Sequence, residues 1–219
     1  MPSKTSRRVL PWQQLSTLLQ ELQSSRKPAR VVTTGGITPR GNPPSWKCEN
    51  PQFQSLIEED CQRVAEIARS VTAYETHPLT LDLGPDWDRT RYTPDLIIRF
   101  EDQVAVVEVK PESKLSSIKT ATRLKKVISA LAHHGIQLCL LLDTDVRDAG
   151  LQRTLKLLQR ERPVRGRFRA DIDPSQWDPL GRTTATEEQL ARWKHAQLIC
   201  DDLLRRVMHR DPDELLTAA

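Results

Sequence analysis

The chain has no apolar run long enough to cross a bilayer, which takes about 20 consecutive residues, and its mean hydropathy is negative. A membrane-embedded protein is therefore not expected. The opening residues Met1-Pro2-Ser3-Lys4 lack the apolar stretch of a signal peptide. Cysteine is scarce: Cys48, Cys61, Cys139 and Cys200 are scattered, with no C-x-x-C pair. That spacing argues against a zinc module and a disulfide framework, and fits a reducing cytoplasm. Cys61 and Cys139 sit in apolar surroundings and read as small core residues. There is no internal repeat and no long low-complexity tract.

A chain of 219 residues is long enough for one main domain with attachments. The net charge of +4 is modest but unevenly spread. Through Lys47 the bases Lys4, Arg7, Arg8, Arg26, Lys27, Arg30, Arg40 and Lys47 face one acid, Glu21. A basic arm over residues 1–50 points to a polyanion, most often nucleic acid, although such arms also serve as solubilising tails.

The chemistry concentrates in Tyr92-Thr93-Pro94-Asp95-Leu96-Ile97-Ile98-Arg99-Phe100 and in Val104 to Lys110. On a strand, alternate side chains share a face. Val104, Val106, Glu108 and Lys110 fall on one face, and Ala105, Val107 and Val109 on the other. Glu101-Asp102-Gln103 is short enough for an antiparallel hairpin. Asp95 opens its first strand and Glu108-Val109-Lys110 closes its second, so the three polar groups meet at one end. Charges on a buried strand need pairing or a metal. The alternative is a surface hairpin with an ordinary ion pair, and the flanking apolarity argues against it.

A helix is predicted over Gln54–Ser70, with Ser55 as N-cap and Glu58 completing a capping-box pattern. Its stripe is Ile57, Cys61, Val64, Ala65, Ala68 and Val71. Glu58 lies at the stripe's edge and is the best placed of its acids to reach the sheet; Asp60 comes next and Glu59 last. The plainer reading is that Glu58 only caps the helix. A strand near Thr72–Tyr74, an extended Pro78–Leu83 and a polar loop Gly84–Arg91 precede the hairpin. A helix over Leu115–His134 carries Ile118, Ala121, Leu124, Val127, Ile128 and Leu131 inward and ends at Gly135. Gln137–Leu142 reads as a buried strand. Further helices are predicted over Trp12–Ser24, from Leu151 to near Arg162, and over Thr186–His209. The last carries Leu190, Trp193, Leu198, Ile199, Leu203, Leu204 and Val207 as its apolar positions. An arginine-rich run, Arg160–Arg169, and a linker-like Pro174–Pro179 lie between the last two. The whole is an α/β chain, a mixed sheet flanked by helices.

Pro94-Asp95 and Glu108-Val109-Lys110 resemble the two halves of the PD-(D/E)xK nuclease pattern. The order Pro44-Ser45-Trp46-Lys47, Ser55-Leu56-Ile57-Glu58-Glu59-Asp60, Tyr74-Glu75-Thr76-His77-Pro78, Tyr92-Thr93-Pro94-Asp95 and Glu108-Val109-Lys110 resembles TnsA-type endonucleases of heteromeric transposases over about residues 30–160. Thr76-His77 departs from the glutamine common before the proline, and Glu59 stands where arginine is usual. The resemblance implies a restriction-endonuclease-like core over 51–165, a basic N-terminal arm over 1–50, and a helical C-terminal extension over 166–219 that docks partners.

It further implies Glu58, Asp95 and Glu108 as metal-binding acids and Lys110 as catalytic lysine. The Val109 carbonyl would be an added ligand, and the cofactor Mg2+, with Mn2+ as a substitute. Magnesium suits phosphodiester hydrolysis because it prefers carboxylates and keeps several waters. Lys110, beside two acids, is better suited to stabilise charge and position water than to abstract a proton. Arg40, Trp46, Lys47, Lys114, Lys119 and Arg123 are the expected DNA contacts, largely to the backbone. The implied activity is cleavage at the 5′ ends of a mobile element in the bacterial cytoplasm, at the nucleoid. The implied partners are a DDE-type transposase subunit and an ATPase regulator, with no small-molecule substrate and no membrane. A stand-alone nuclease of restriction or repair type, or an inactive DNA-binding scaffold, are the competing readings.

Overall fold

Every residue from Val104 to Val109 is buried, so the alternation of this strand separates two covered faces instead of a wet face from a dry one. The computed structural model describes residues 39–78, 80–82, 91–100, 103–133, 135–161 and 187–217. The Trp12–Ser24 helix, most of the basic arm, the Gly84–Thr90 part of the polar loop, the Arg165–Arg169 run and the Pro174–Pro179 linker lie outside them.

Four strands form a mixed sheet in the order β1-β4-β5-β6: β1 (Val71–Thr76), β4 (Leu96–Phe100), β5 (Val104–Lys110) and β6 (Leu138–Leu142). The β1/β4 and β4/β5 pairs are antiparallel, while β5/β6 is parallel. A short antiparallel ladder joins β2 (Leu81–Asp82) to β3 (Arg91–Tyr92). The helices are α1 (Leu56–Ile67), α2 (Ile118–His133), α3 (Asp143–Val146), α4 (Ala149–Glu161), α5 (Glu187–His209) and α6 (Pro212–Thr217). The parallel β5/β6 pair needs a crossover, and α2 supplies it.

Each sheet face has its own core. Leu96, Ile98, Ala105, Val107, Val109, Cys139 and Leu141 pack with α1, α4 and α5. Ile97, Val104, Val106, Leu138, Leu140 and Leu142 pack with α2 and with Leu216 of α6. Glu108 and Lys110 share the parity of Val104 and Val106, and so lie on the α2 side. Gly135 adopts φ +74 just past α2, a left-handed geometry in which glycine carries no side-chain penalty.

Helix α1 is buried almost all round, because sheet, α4 and α5 enclose it. Its charged residues are therefore paired: Arg63 bridges Glu59 and Asp60, and Asp60 also meets Arg147 Nε at 3.2 Å. Two helical expectations need correction. Ile118 is 84 % exposed at the first residue of α2. On α5, Leu190, Leu198 and Ile199 are exposed; the buried stripe is Trp193, Ala196, Cys200, Leu203, Leu204, Val207 and Met208. The 3.6-residue period selects that set, and Leu198 and Ile199 fall off it. This helix belongs to the α1-side core. All four cysteines are buried and free, and no described helix is long and apolar enough to cross a membrane.

Candidate functional site

Asp95 is the residue before β4, and its side chain continues the ladder that its backbone leaves: Oδ2 accepts the Val109 N–H at 2.8 Å. Pro94 before it holds the preceding residue extended, which aims the chain into the strand. Across the pair, Glu108 is 3 % exposed. Its Oε1 lies 2.6 Å from Lys110 Nζ. Its Oε2 accepts the Tyr92 hydroxyl at 2.8 Å. Lys110 Nζ also donates to the Val109 carbonyl at 2.9 Å and lies 3.6 Å from Asp95 Oδ2. One ammonium thus touches two carboxylates and a carbonyl.

The electrostatics follow from crowding. Burial and the Glu108 carboxylate push the Asp95 carboxyl up to about 7, against the pull of Lys110 and the Val109 N–H. For Lys110, burial disfavours the charge, but Glu108 and Asp95 outweigh it and hold the ammonium above its ordinary value. Lys110 is therefore held in its charged form. Burial, with Glu108 next to it, raises the Tyr92 phenol well above its ordinary value, so it remains a hydrogen-bond donor.

Glu58 reaches the same sheet end from the other side. Ser55 caps α1 by accepting the Glu58 N–H at 3.3 Å, and its hydroxyl donates to Glu58 Oε1 at 2.9 Å. Glu58 Oε2 accepts the Gln54 N–H at 2.8 Å. The carboxylate thus does serve the cap, one residue displaced from the usual capping box. His77 Nε2 lies 3.3 Å from Glu58 Oε2, an ion-pair contact without hydrogen-bond geometry. Burial would raise the Glu58 carboxyl; the neighbouring His77, Gln54 and Ser55 outweigh it and hold it below the ordinary value. The His77 N–H donates to the Asp95 carbonyl at 3.0 Å. That bond ties the end of β1 to the start of β4.

Asp95, Glu108, Lys110 and the Val109 carbonyl therefore come together, and Glu58 stands beside them in a pair with His77. Among the described residues no three His, Cys, Asp or Glu side chains form a metal-holding group. The donor set around Lys110 nevertheless fits a hard divalent cation: all its atoms are oxygens, two of the groups are carboxylates, and burial together with the neighbouring Glu108 already raises Asp95.

The basic residues divide. Arg123, exposed on α2, is close enough to act electrostatically on both Lys110 and Tyr92. Lys114 and Lys119 are exposed, in the 3-10 turn after β5 and in the first turn of α2. Arg40 is exposed, and Trp46 is half-buried with its backbone N–H on Glu66 Oε1 at 2.7 Å. Lys47 is a correction. It is buried, and its ammonium caps the end of α1 through the Ala65 and Ala68 carbonyls. A cation spent on helix carbonyls inside the core cannot hold a DNA phosphate. Glu66, fully buried, accepts Ser45 and Trp46 beside it, so the Pro44-Ser45-Trp46-Lys47 run is an anchor.

Sequence reasoning missed Tyr92 and His77 as parts of this region. Tyr92 heads the Tyr-Thr-Pro-Asp run, but the β2/β3 ladder that aims it at Glu108 has only two residues per strand. His77 carried a signal, as the departure before Pro78. No protein-family model matches the chain, and no curated protein matches it.

Proposed function

We propose that the chain is a metal-dependent DNA endonuclease of the TnsA type, built on a restriction-endonuclease-like core. The observation that carries this reading is the meeting of Asp95, Glu108 and Lys110 at the adjoining ends of β4 and β5. The order helix, three antiparallel strands, helix, parallel strand supports it. So do the exposed bases Lys114, Lys119 and Arg123 on the Lys110 side of the sheet.

In this reading Asp95, Glu108 and the Val109 carbonyl hold Mg2+, which supplies charge neutralisation at the phosphoryl oxygens. Lys110 keeps its proton and stabilises the charge that builds on the phosphate. Tyr92 fixes the Glu108 carboxylate. Arg123, Lys119 and Lys114 hold the DNA backbone without reading its sequence. The substrate is the 5′ end of a mobile element; a DDE-type transposase processes the 3′ end, and an ATPase regulator controls both.

The test is cleavage of DNA carrying the ends of a mobile element, with a DDE-type transposase as partner and Mg2+. The full chain should cut, and Asp95→Ala should bind DNA without cutting. Cutting with no partner present favours a free-standing nuclease. Unchanged cutting in Asp95→Ala refutes the catalytic assignment.

A further inference from the structure

We propose that Glu58 and His77 form a cation position of their own that takes a transition metal such as Mn2+, with the His77 imidazole as a ligand. The inference deepens the nuclease reading by adding to it a second cation with a nitrogen ligand, and it rests on that reading for what the ion does. The contacts around His77 carry it.

His77 is 5 % exposed, and its Nε2 has no hydrogen-bond partner among the described residues. Buried imidazole nitrogens are normally satisfied, and the contact this one makes is with the Glu58 carboxylate, so what the two share is a proton or a cation. Nε2 faces Glu58 Oε2 at 3.3 Å without hydrogen-bond geometry. Two ligands on neighbouring positions of one ion, with bonds of about 2.1 Å, lie roughly 3–3.4 Å apart. The Glu58 carboxylate is already oriented by the Gln54 N–H and the Ser55 hydroxyl, as ligating carboxylates usually are.

The backbone agrees. His77 has φ +44, the only positive φ on a non-glycine residue among the described residues. Such geometry persists where the surroundings impose it, and it gathers at ligand sites. Here the His77 N–H is fixed to the Asp95 carbonyl. The imidazole is thereby held at the sheet end that carries Asp95. Imidazole nitrogen suits Mn2+, Co2+ or Zn2+ better than Mg2+, whereas the Asp95–Glu108 pair offers oxygen alone. Water and DNA phosphate oxygens would complete the shell.

The probe is Mn2+ added to the purified full chain. Electron spin echo spectroscopy of the bound ion should show nitrogen modulation from a coordinated imidazole. The modulation should vanish in His77→Asn and in His77→Gly, both of which tolerate positive φ and so spare the backbone. Mn2+ affinity should fall by about tenfold or more in both, and in Glu58→Gln, while Mg2+ affinity is unchanged. A spectrum without nitrogen modulation, modulation that survives in His77→Asn, or no Mn2+ binding overturns the proposal. Histidine acting only as an ion-pair partner of Glu58 gives the first of these. Nitrogen modulation in a chain that cuts no DNA supports the cation position and overturns the nuclease reading alone. Modulation retained in Asp95→Asn supports the separation of the two positions.

Discussion

Replacing Asp95 with asparagine should make the metal-free protein more stable at about pH 8. Asp95 is largely buried, with its side chain 16 % exposed, and it shares its surroundings with the Glu108 carboxylate. Its carboxyl is raised from 3.8 to about 7. At about 1.4 kcal/mol per pH unit, that interval sets a ceiling of about 4 kcal/mol on the destabilisation. Partial solvent access and the Lys110 ammonium at 3.6 Å reduce the expected gain to roughly 1–3 kcal/mol. Asparagine keeps an oxygen for the Val109 N–H, so the local ladder survives.

The sign is fixed by linkage. A folded value above the unfolded one contributes stability that is present below 3.8 and lost as pH rises through about 7. The difference between Asp95→Asn and the native chain should therefore grow from about pH 4 to about pH 7 and then level off. Denaturant unfolding with a chelator present, repeated across that range, measures it. Added Mg2+ should narrow the gap, since an ion at 100 times its Kd stabilises the folded chain by about 2.7 kcal/mol. An asparagine variant less stable than the native chain at about pH 8, or a difference independent of pH, would refute the crowded-carboxylate account.

Tyr92→Phe removes the donor to Glu108 Oε2; it should lower stability by about 1 kcal/mol and weaken Mg2+ binding, and a calorimetric titration indistinguishable from native would count against its positioning role. Lys47→Met strips the donors from the Ala65 and Ala68 carbonyls and should cost about 1–3 kcal/mol in unfolding experiments, with DNA affinity unchanged. Arg123→Ala should do the reverse, keeping stability and lowering the salt dependence of DNA binding by about one ion, and swapped behaviour would show that both residues are misplaced. Alkali should destabilise the fold. Burial pushes the thiols of Cys48, Cys139 and Cys200 up to about 12, and raises that of Cys61 well above its ordinary value. Unfolded thiols ionise from about pH 9, so stability falls there by up to about 1.4 kcal/mol per pH unit for each. Lys47, lowered to about 8 by burial, acts in the opposite direction but is outnumbered, so flat stability between about pH 8 and pH 10 under reducing conditions would contradict this.

Much of the sheet end was legible because its parts are close in sequence. A hairpin of known period fixes which residues face one way, and Asp95 and Glu108 are joined by a single turn. Hydrophobicity alone could not tell Leu198 and Ile199 of α5 from the buried stripe, because apolar residues occur on both sides of that helix; the 3.6-residue period separates them. Lys47 shows the other limit: its charge is visible in the sequence, while the helix end that consumes it is formed by residues 65–68.

The sequence by itself determined the alternation of β4 and β5, the Ser55 cap on α1, the glycine stop after α2, and therefore which carboxylates share a strand end. Each depends on neighbours within one hydrogen-bonded turn or ladder. The tertiary structure alone decided that Tyr92 secures Glu108, that His77 faces Glu58, and that Lys47 is buried. Those outcomes depend on distances between separate elements that packing brings together, and packing of that kind leaves no period in the chain.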